Sequence, residues 1–117
     1  LHLTSVGKLF LAQDDTQKVR TYASRTGLAG HTRNSITQIQ ALEKELQEVQ
    51  KNGTANDDEE LELGVSCIAA GIYDDSNTMV AGLSISAPTD RINRDWTKAL
   101  VDTALQISRG IGYQAPP

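Results

Sequence analysis

Residues 57–86, DDEELELGVSCIAAGIYDDSNTMVAGLSIS, place two strand-like segments on either side of a turn-forming tetrad, and their alternation decides the fold. Side chains on a strand alternate between faces, so residues two apart look the same way. Strands are predicted over 64–73 and 79–87, joined antiparallel across DDSN. On one side fall Ile68, Ala70 and Ile72 with Ala81, Leu83 and Ile85, an ordinary core face. On the other fall Cys67, Ala69 and Gly71 with Gly82, Ser84 and Ser86, all small and three of them able to hydrogen-bond. A floor of small residues admits either a closely packed helix or a small polar ligand, and the pattern leaves both open.

Helical periodicity surrounds this pair. Ile36, Ile39, Leu42, Leu46 and Val49 recur at three- and four-residue steps, with Ser35 and Gln38 in a capping-box spacing before them and Asn52–Gly53 as a stop. The outward positions Glu43, Lys44, Glu45, Gln47, Glu48 and Lys51 are expected to be solvated. Upstream, residues 4–12 (TSVGKLFLA) read as a short buried helix capped by Thr4 or Ser5, with Val6, Phe10 and Leu11 inward. The stretch from Asp14 and Asp15 to Gly27 reads as a second helix, and residues 27–35 as a loop. Residues 54–57 are expected to run extended into the acidic turn. After Pro88, a helix capped by Thr89 or Asp90 should pack Ile92, Trp96, Leu100, Ala104, Ile107 and Ile111 onto the apolar face, before a Pro116–Pro117 end without structure. Two strands alone seldom make a stable sheet, so further strands are expected nearby or upstream.

The totals narrow the function. One domain fits 117 residues, and a net charge of −4 gives no reason to approach DNA or an anionic membrane. The lone Cys67 excludes an internal disulfide and a thiolate zinc cage within one chain, which points to a reducing, cytoplasmic setting. No stretch approaches the ~20 apolar residues of a membrane span. Beginning at Leu1 rather than Met, the chain is expected to be a segment of a longer protein.

Chemistry-bearing residues are few. Asp57, Asp58, Glu59 and Glu60 are consecutive and so do not converge on a metal; most read as a solvated turn, but Asp57 lies where the extended segment meets the sheet end. Cys67 has no neighbouring motif that pairs it with His2 or His31, and Ser84 and Ser86 lack the G-x-S-x-G elbow of a nucleophile. Their simpler role is hydrogen bonding. The first amides of the leading helix, around Ser5, Val6 and Gly7, offer donors and a positive dipole end to a carboxylate, with Lys8 free to assist or to stay in solvent.

In order along the chain, LHLTSVGKLFLA, TRNSIT, DDEELELGVSCIAAGIYDD, VAGLSISAP and a closing ISRGIGY resemble the effector-binding domain of the IclR family of bacterial transcriptional regulators. The resemblance covers essentially the whole chain. Its most specific parts are H-x-T-S-x-G-K and D-D-E-E-x-x-x-G-x-x-C-x-A-A. It implies an α+β domain like GAF and PAS modules, with a mainly antiparallel sheet flanked by helices. It also implies a sensor rather than an enzyme, without metal or cofactor. The expected ligand is a small anionic metabolite, a sugar acid or keto acid such as 2-keto-3-deoxygluconate. Its acid group is expected on the amides of Ser5 and Val6, and its polar remainder on Asp57, Cys67, Ser84 and Ser86. Where some members carry Gly-Ala at positions 5 and 6, this chain carries Ser-Val, which narrows the entrance. The parent is expected to be a homodimer or tetramer that touches DNA only through a winged helix-turn-helix domain preceding Leu1, with further pocket-wall residues there. Two alternatives stand beside this one: a ligand-free oligomerisation module, and a hydrolase using Cys67.

Overall fold

The computed structural model describes residues 1–114, and the Pro116–Pro117 end lies outside them. Three helices come first, α1 (Ser5–Gln13), α2 (Thr16–Thr26) and α3 (Ile39–Asn52), then strands β1 (Thr54–Asp58), β2 (Val65–Tyr73) and β3 (Met79–Pro88), and a closing helix α4 (Trp96–Gly110). The strands form one antiparallel sheet in the order β1-β2-β3. The extended segment before the acidic turn is therefore the third strand that the sheet needs.

Local chemistry explains the boundaries. The Thr4 hydroxyl accepts the Gly7 N–H at 3.0 Å and starts α1, and Asp15 does the same for α2 through Lys18 N–H at 2.8 Å. Gly27 and Gly53 close α2 and α3 in the left-handed conformation, with φ of 66° and 74°, which costs a residue without Cβ nothing. Between β2 and β3, Asp74 Oδ1 accepts from both Ser76 and Thr78 amides, so the tetrad folds on its own side chain.

Two cores lie on opposite faces of the sheet. Leu9, Leu11, Val19, Leu42, Leu46 and Val49 pack with Ala55 and Ala69 on the side of α1, α2 and α3. Ile68, Ala70 and Ile72 pack with Leu100 and Ala104 of α4 on the other, joined at their margin by Ala81, Leu83, Ile85 and Ile92. The apolar face and its covering helix are thus as the alternation required.

Two boundaries and some inward positions differ from expectation. α3 starts after Gln38 with no side-chain cap, so Ser35 does not form a capping box. Its hydroxyl instead accepts the His31 and Thr32 amides and donates to the Glu60 carbonyl, a tertiary demand that a local pattern does not reveal. α4 begins at Trp96 rather than after Asp90, because Pro88–Arg94 is consumed in turns closed by Arg91, Ile92 and Trp96 amides. Its buried stripe is Leu100, Ala104 and Ser108, while Trp96, Ile107 and Ile111 stay exposed. In α1, Phe10 is likewise outward and Leu9 takes the inner place.

Candidate functional site

The register of the sheet assembles the small face from three strands. Asp57 of β1 is opposite Cys67 of β2, and Cys67 is opposite Ser86 of β3, so the three stand in one row. Ser84 stands in the next row, opposite Ala69. Cys67 Sγ and Ser86 Oγ are 2.9 Å apart, and either can donate.

Helix α1 covers part of this floor. A Cβ on Gly82 would lie 3.0 Å from Val6 Cγ1, tighter than ordinary contact, so glycine there favours the close approach of the helix. At that end the small residues admit protein. At the other end Ser84 and Ser86 are exposed and Cys67 is half-buried, so the floor is open. One half of the small-residue face is therefore filled by protein and the other stays open.

The start of α1 sits against this floor. Gly7 is required there, since a Cβ would fall 2.1 Å from the Leu1 carbonyl and 2.6 Å from Thr4 Oγ1. The Gly7 amide is spent on the Thr4 cap. Ser5 and Val6, the first two helical residues, have amides without an intrahelical acceptor, at the positive end of the helix dipole.

Asp57 is buried at 3% exposure and its Oδ1 accepts the Glu60 N–H at 2.8 Å. The turn that brings Glu60 back to it holds Glu59 at a φ of 60°, a left-handed conformation uncommon outside glycine. Thr32 and Ser35 hydroxyls fasten that turn by bonding the Glu59 and Glu60 carbonyls.

Two expectations about charge are overturned. Lys8 is neither solvated nor available to a ligand: it is fully buried, and its ammonium reaches Glu45 Oε1 at 3.1 Å, the Asn56 carbonyl at 2.7 Å and the Glu60 carboxylate. Glu60 and Glu45, read as solvated, are its partners. Lys8 Nζ lies 2.8 Å from Glu60 Oε1 and 2.9 Å from Oε2, but only the contact to Oε2 has hydrogen-bond direction, so Oε1 is held by charge alone. Burial pushes the Glu60 carboxyl above its usual value, partly offset by the Lys8 hydrogen bond. This cluster joins residues 52 apart in sequence, and a lone lysine at a helical position carries no sign of it.

Neither histidine serves the cysteine as a base. The His2 ring is committed elsewhere, with Nε2 on the Ala29 carbonyl at 2.9 Å and Nδ1 on the Tyr22 hydroxyl at 2.8 Å. His31 is exposed on the loop before α3. Among the described residues no group of three or more His, Cys, Asp or Glu side chains is placed to hold a metal. Among them, too, no helix is long and apolar enough to cross a membrane.

Residues 1–113 match the family of bacterial transcriptional regulator IclR C-terminal domains. The chain belongs to the IclR family. The HTH-type transcriptional repressor AllR of Escherichia coli K12 is 33% identical over 121 residues, which takes in 100% of this chain and 45% of the repressor. The chain therefore spans less than half the length of that IclR relative. Among solved structures, the C-terminal domain of the E. coli regulator KdgR superposes with a TM-score of 0.82 at 34% identity, covering 96% of this chain and 71% of that one. An inducer-binding domain of PobR from Acinetobacter, a double mutant in complex with 3-hydroxybenzoic acid, gives 0.77 at 26% identity over 95% of this chain and 62% of its own. The antiparallel sheet with helices on both faces is thus the IclR C-terminal fold. The relatives matched are transcriptional regulators by name.

Proposed function

We propose that this IclR domain is the sensor of a transcriptional regulator and binds a small organic acid between the start of α1 and the open half of the small-residue floor. The observation that carries this reading is the row of Asp57, Cys67 and Ser86 on one face, with unpaired helix amides at one margin. The acid group goes to the amides of Ser5 and Val6, where no cation is needed. Asp57 accepts from ligand hydroxyls, and Cys67, Ser84 and Ser86 supply groups that both donate and accept. A sugar acid or keto acid has this polarity, with a carboxylate at one end and hydroxyls at the other, and 2-keto-3-deoxygluconate is the first to test. The organic acid bound by the PobR domain is support from a relative for the class, not for the compound.

The regulatory step is linkage. DNA is bound by a helix-turn-helix domain outside this chain, in a homodimer or tetramer, and the effector alters operator affinity by the difference in its own affinity for the two arrangements. The acidity of the chain, with a net charge of −4, suits a domain that leaves DNA to another. Catalysis by Cys67 is disfavoured because His2 is held by Tyr22 and Ala29.

Thermal-shift screening of the full-length protein against keto acids and sugar acids tests this. A ligand at about 100 times its Kd adds ~2.7 kcal/mol to folded-state stability. A panel in which no acid raises the melting temperature refutes the reading and favours an oligomerisation role.

A further inference from the structure

We propose that Lys8 is a positioning residue that sets Asp57 against the start of α1, acting through Glu60. The inference rests on the effector-site reading for its purpose and on the ion-pair geometry for its content. An ammonium has three donors, and those of Lys8 are all directed: to Glu45, to the Asn56 carbonyl and to the Glu60 carboxylate. Two of these acceptors flank Asp57. Asn56 precedes it, and Glu60 holds it directly, since the Glu60 amide donates to Asp57 Oδ1 at 2.8 Å while Glu60 Oε2 accepts the Asp58 amide at 3.0 Å. The backbone on either side of Asp57 and the carboxylate itself are therefore tied to a single ion pair.

The other end of that pair is α1. Lys8 is three residues beyond Ser5, on the same face of the helix, so the side chain that grips the acidic turn also places the amides of Ser5 and Val6. Sheet pairing of Asp57 with Cys67, the close approach of Val6 to Gly82 and the Arg94 contacts to Asn56 and Asp58 fix the frame, and Lys8 adds the directed link between its two ends. A buried ion pair is weak as a source of stability, since apolar residues of like volume often serve as well. Its directed hydrogen bonds are what an apolar replacement cannot supply. The Thr32 and Ser35 hydroxyls anchor the turn from outside and leave Lys8 as its inner fastening.

The experiment compares the full-length protein with Lys8→Met and with the double variant Lys8→Met/Glu60→Gln. The single change strands a buried carboxylate and is expected to lose stability. The double change removes the Lys8–Glu60 pair and keeps an acceptor for the Asp58 amide, leaving only the partly exposed Glu45 and the Asn56 carbonyl without the ammonium, so its urea midpoint should recover most of the loss. Two site readouts should not return. Hydrogen exchange at the Glu60 amide, normalised to global unfolding, should speed up at least tenfold in the double variant. Calorimetric affinity for 2-keto-3-deoxygluconate should weaken about tenfold. If the double variant is stable and the Glu60 amide stays as protected as in the parent, the proposal is overturned. If that amide loses protection but the parent binds no acid, the positioning role stands and the effector-site reading is the one that falls.

Discussion

Replacing Asp57 separates its duty toward the fold from the one proposed toward a ligand. Its Oδ1 holds the buried Glu60 N–H, and the residue is 3% exposed, so Asp57→Ala leaves that amide without an acceptor. An unsatisfied buried donor costs about 1–3 kcal/mol of stability. Asp57→Asn keeps a carbonyl oxygen at the same place, and its stability should lie within about 1–1.5 kcal/mol of the parent, the difference between a charged and a neutral acceptor. Toward a hydroxyl-bearing acid the same order is expected. A hydrogen bond to a charged group is worth ~1.5–3 kcal/mol and one between neutral groups ~0.5–1.5 kcal/mol, so Asn should weaken binding by about 1–1.5 kcal/mol, roughly 5- to 13-fold. Ala should weaken it further. Urea unfolding gives the first quantity and calorimetry with an acid from the thermal-shift panel the second. Binding within twofold of the parent in Asp57→Asn would sink the role given to this carboxylate, and an Asp57→Ala protein as stable as the parent would sink the account of the turn.

Other expected outcomes concern the approach of α1 and the chemistry beside it. Gly82→Val should destabilise by about 1–3 kcal/mol through overlap with Val6 Cγ1, and Val6→Ala should recover most of that loss; strictly additive urea midpoints would contradict the contact. Gly7→Ala should be worse than Gly82→Val, since its Cβ meets the Leu1 backbone carbonyl at 2.1 Å; a stable, correctly capped variant by amide NMR would refute this. Burial holds the His2 imidazole below its usual pKa, so the folded form takes up a proton less readily than the unfolded chain. The stability tied to neutral His2 is therefore complete above about pH 6.5 and lost as pH falls through the depressed value. His2→Gln should lack that slope in urea melts at pH 7.5 and 5, and equal slopes would exclude His2 as its source.

What the sequence disclosed follows from how far each interaction reaches. The β2–β3 pair was legible because alternation is local, and Ile68 and Ile85 do meet as cross-strand partners. The α3 stripe was legible for the same reason, with Leu42, Leu46 and Val49 all buried. Legibility failed where a side chain serves a distant element. Ser35 resembles a helix cap, yet the Glu60 carbonyl claims its hydroxyl. Lys8 resembles a solvated lysine, yet it is buried by a carboxylate on the far side of α3 in the chain. Within the candidate site, the alternation brought Cys67, Ser84 and Ser86 to one face, and the position of the extended segment brought Asp57 to its end. The bracket that holds Asp57 still had no local signature.

The sheet separates its two faces residue by residue, and this has an evolutionary consequence. Cys67, Ser84 and Ser86 alternate with Ile68, Leu83 and Ile85, so exchanging one of the former leaves the contacts with α4 intact. Exposed positions tolerate substitution within about ±0.5 kcal/mol, whereas buried apolar ones do not. Under the proposed sensor role, ligand preference can therefore drift by single steps while the scaffold is inherited unchanged.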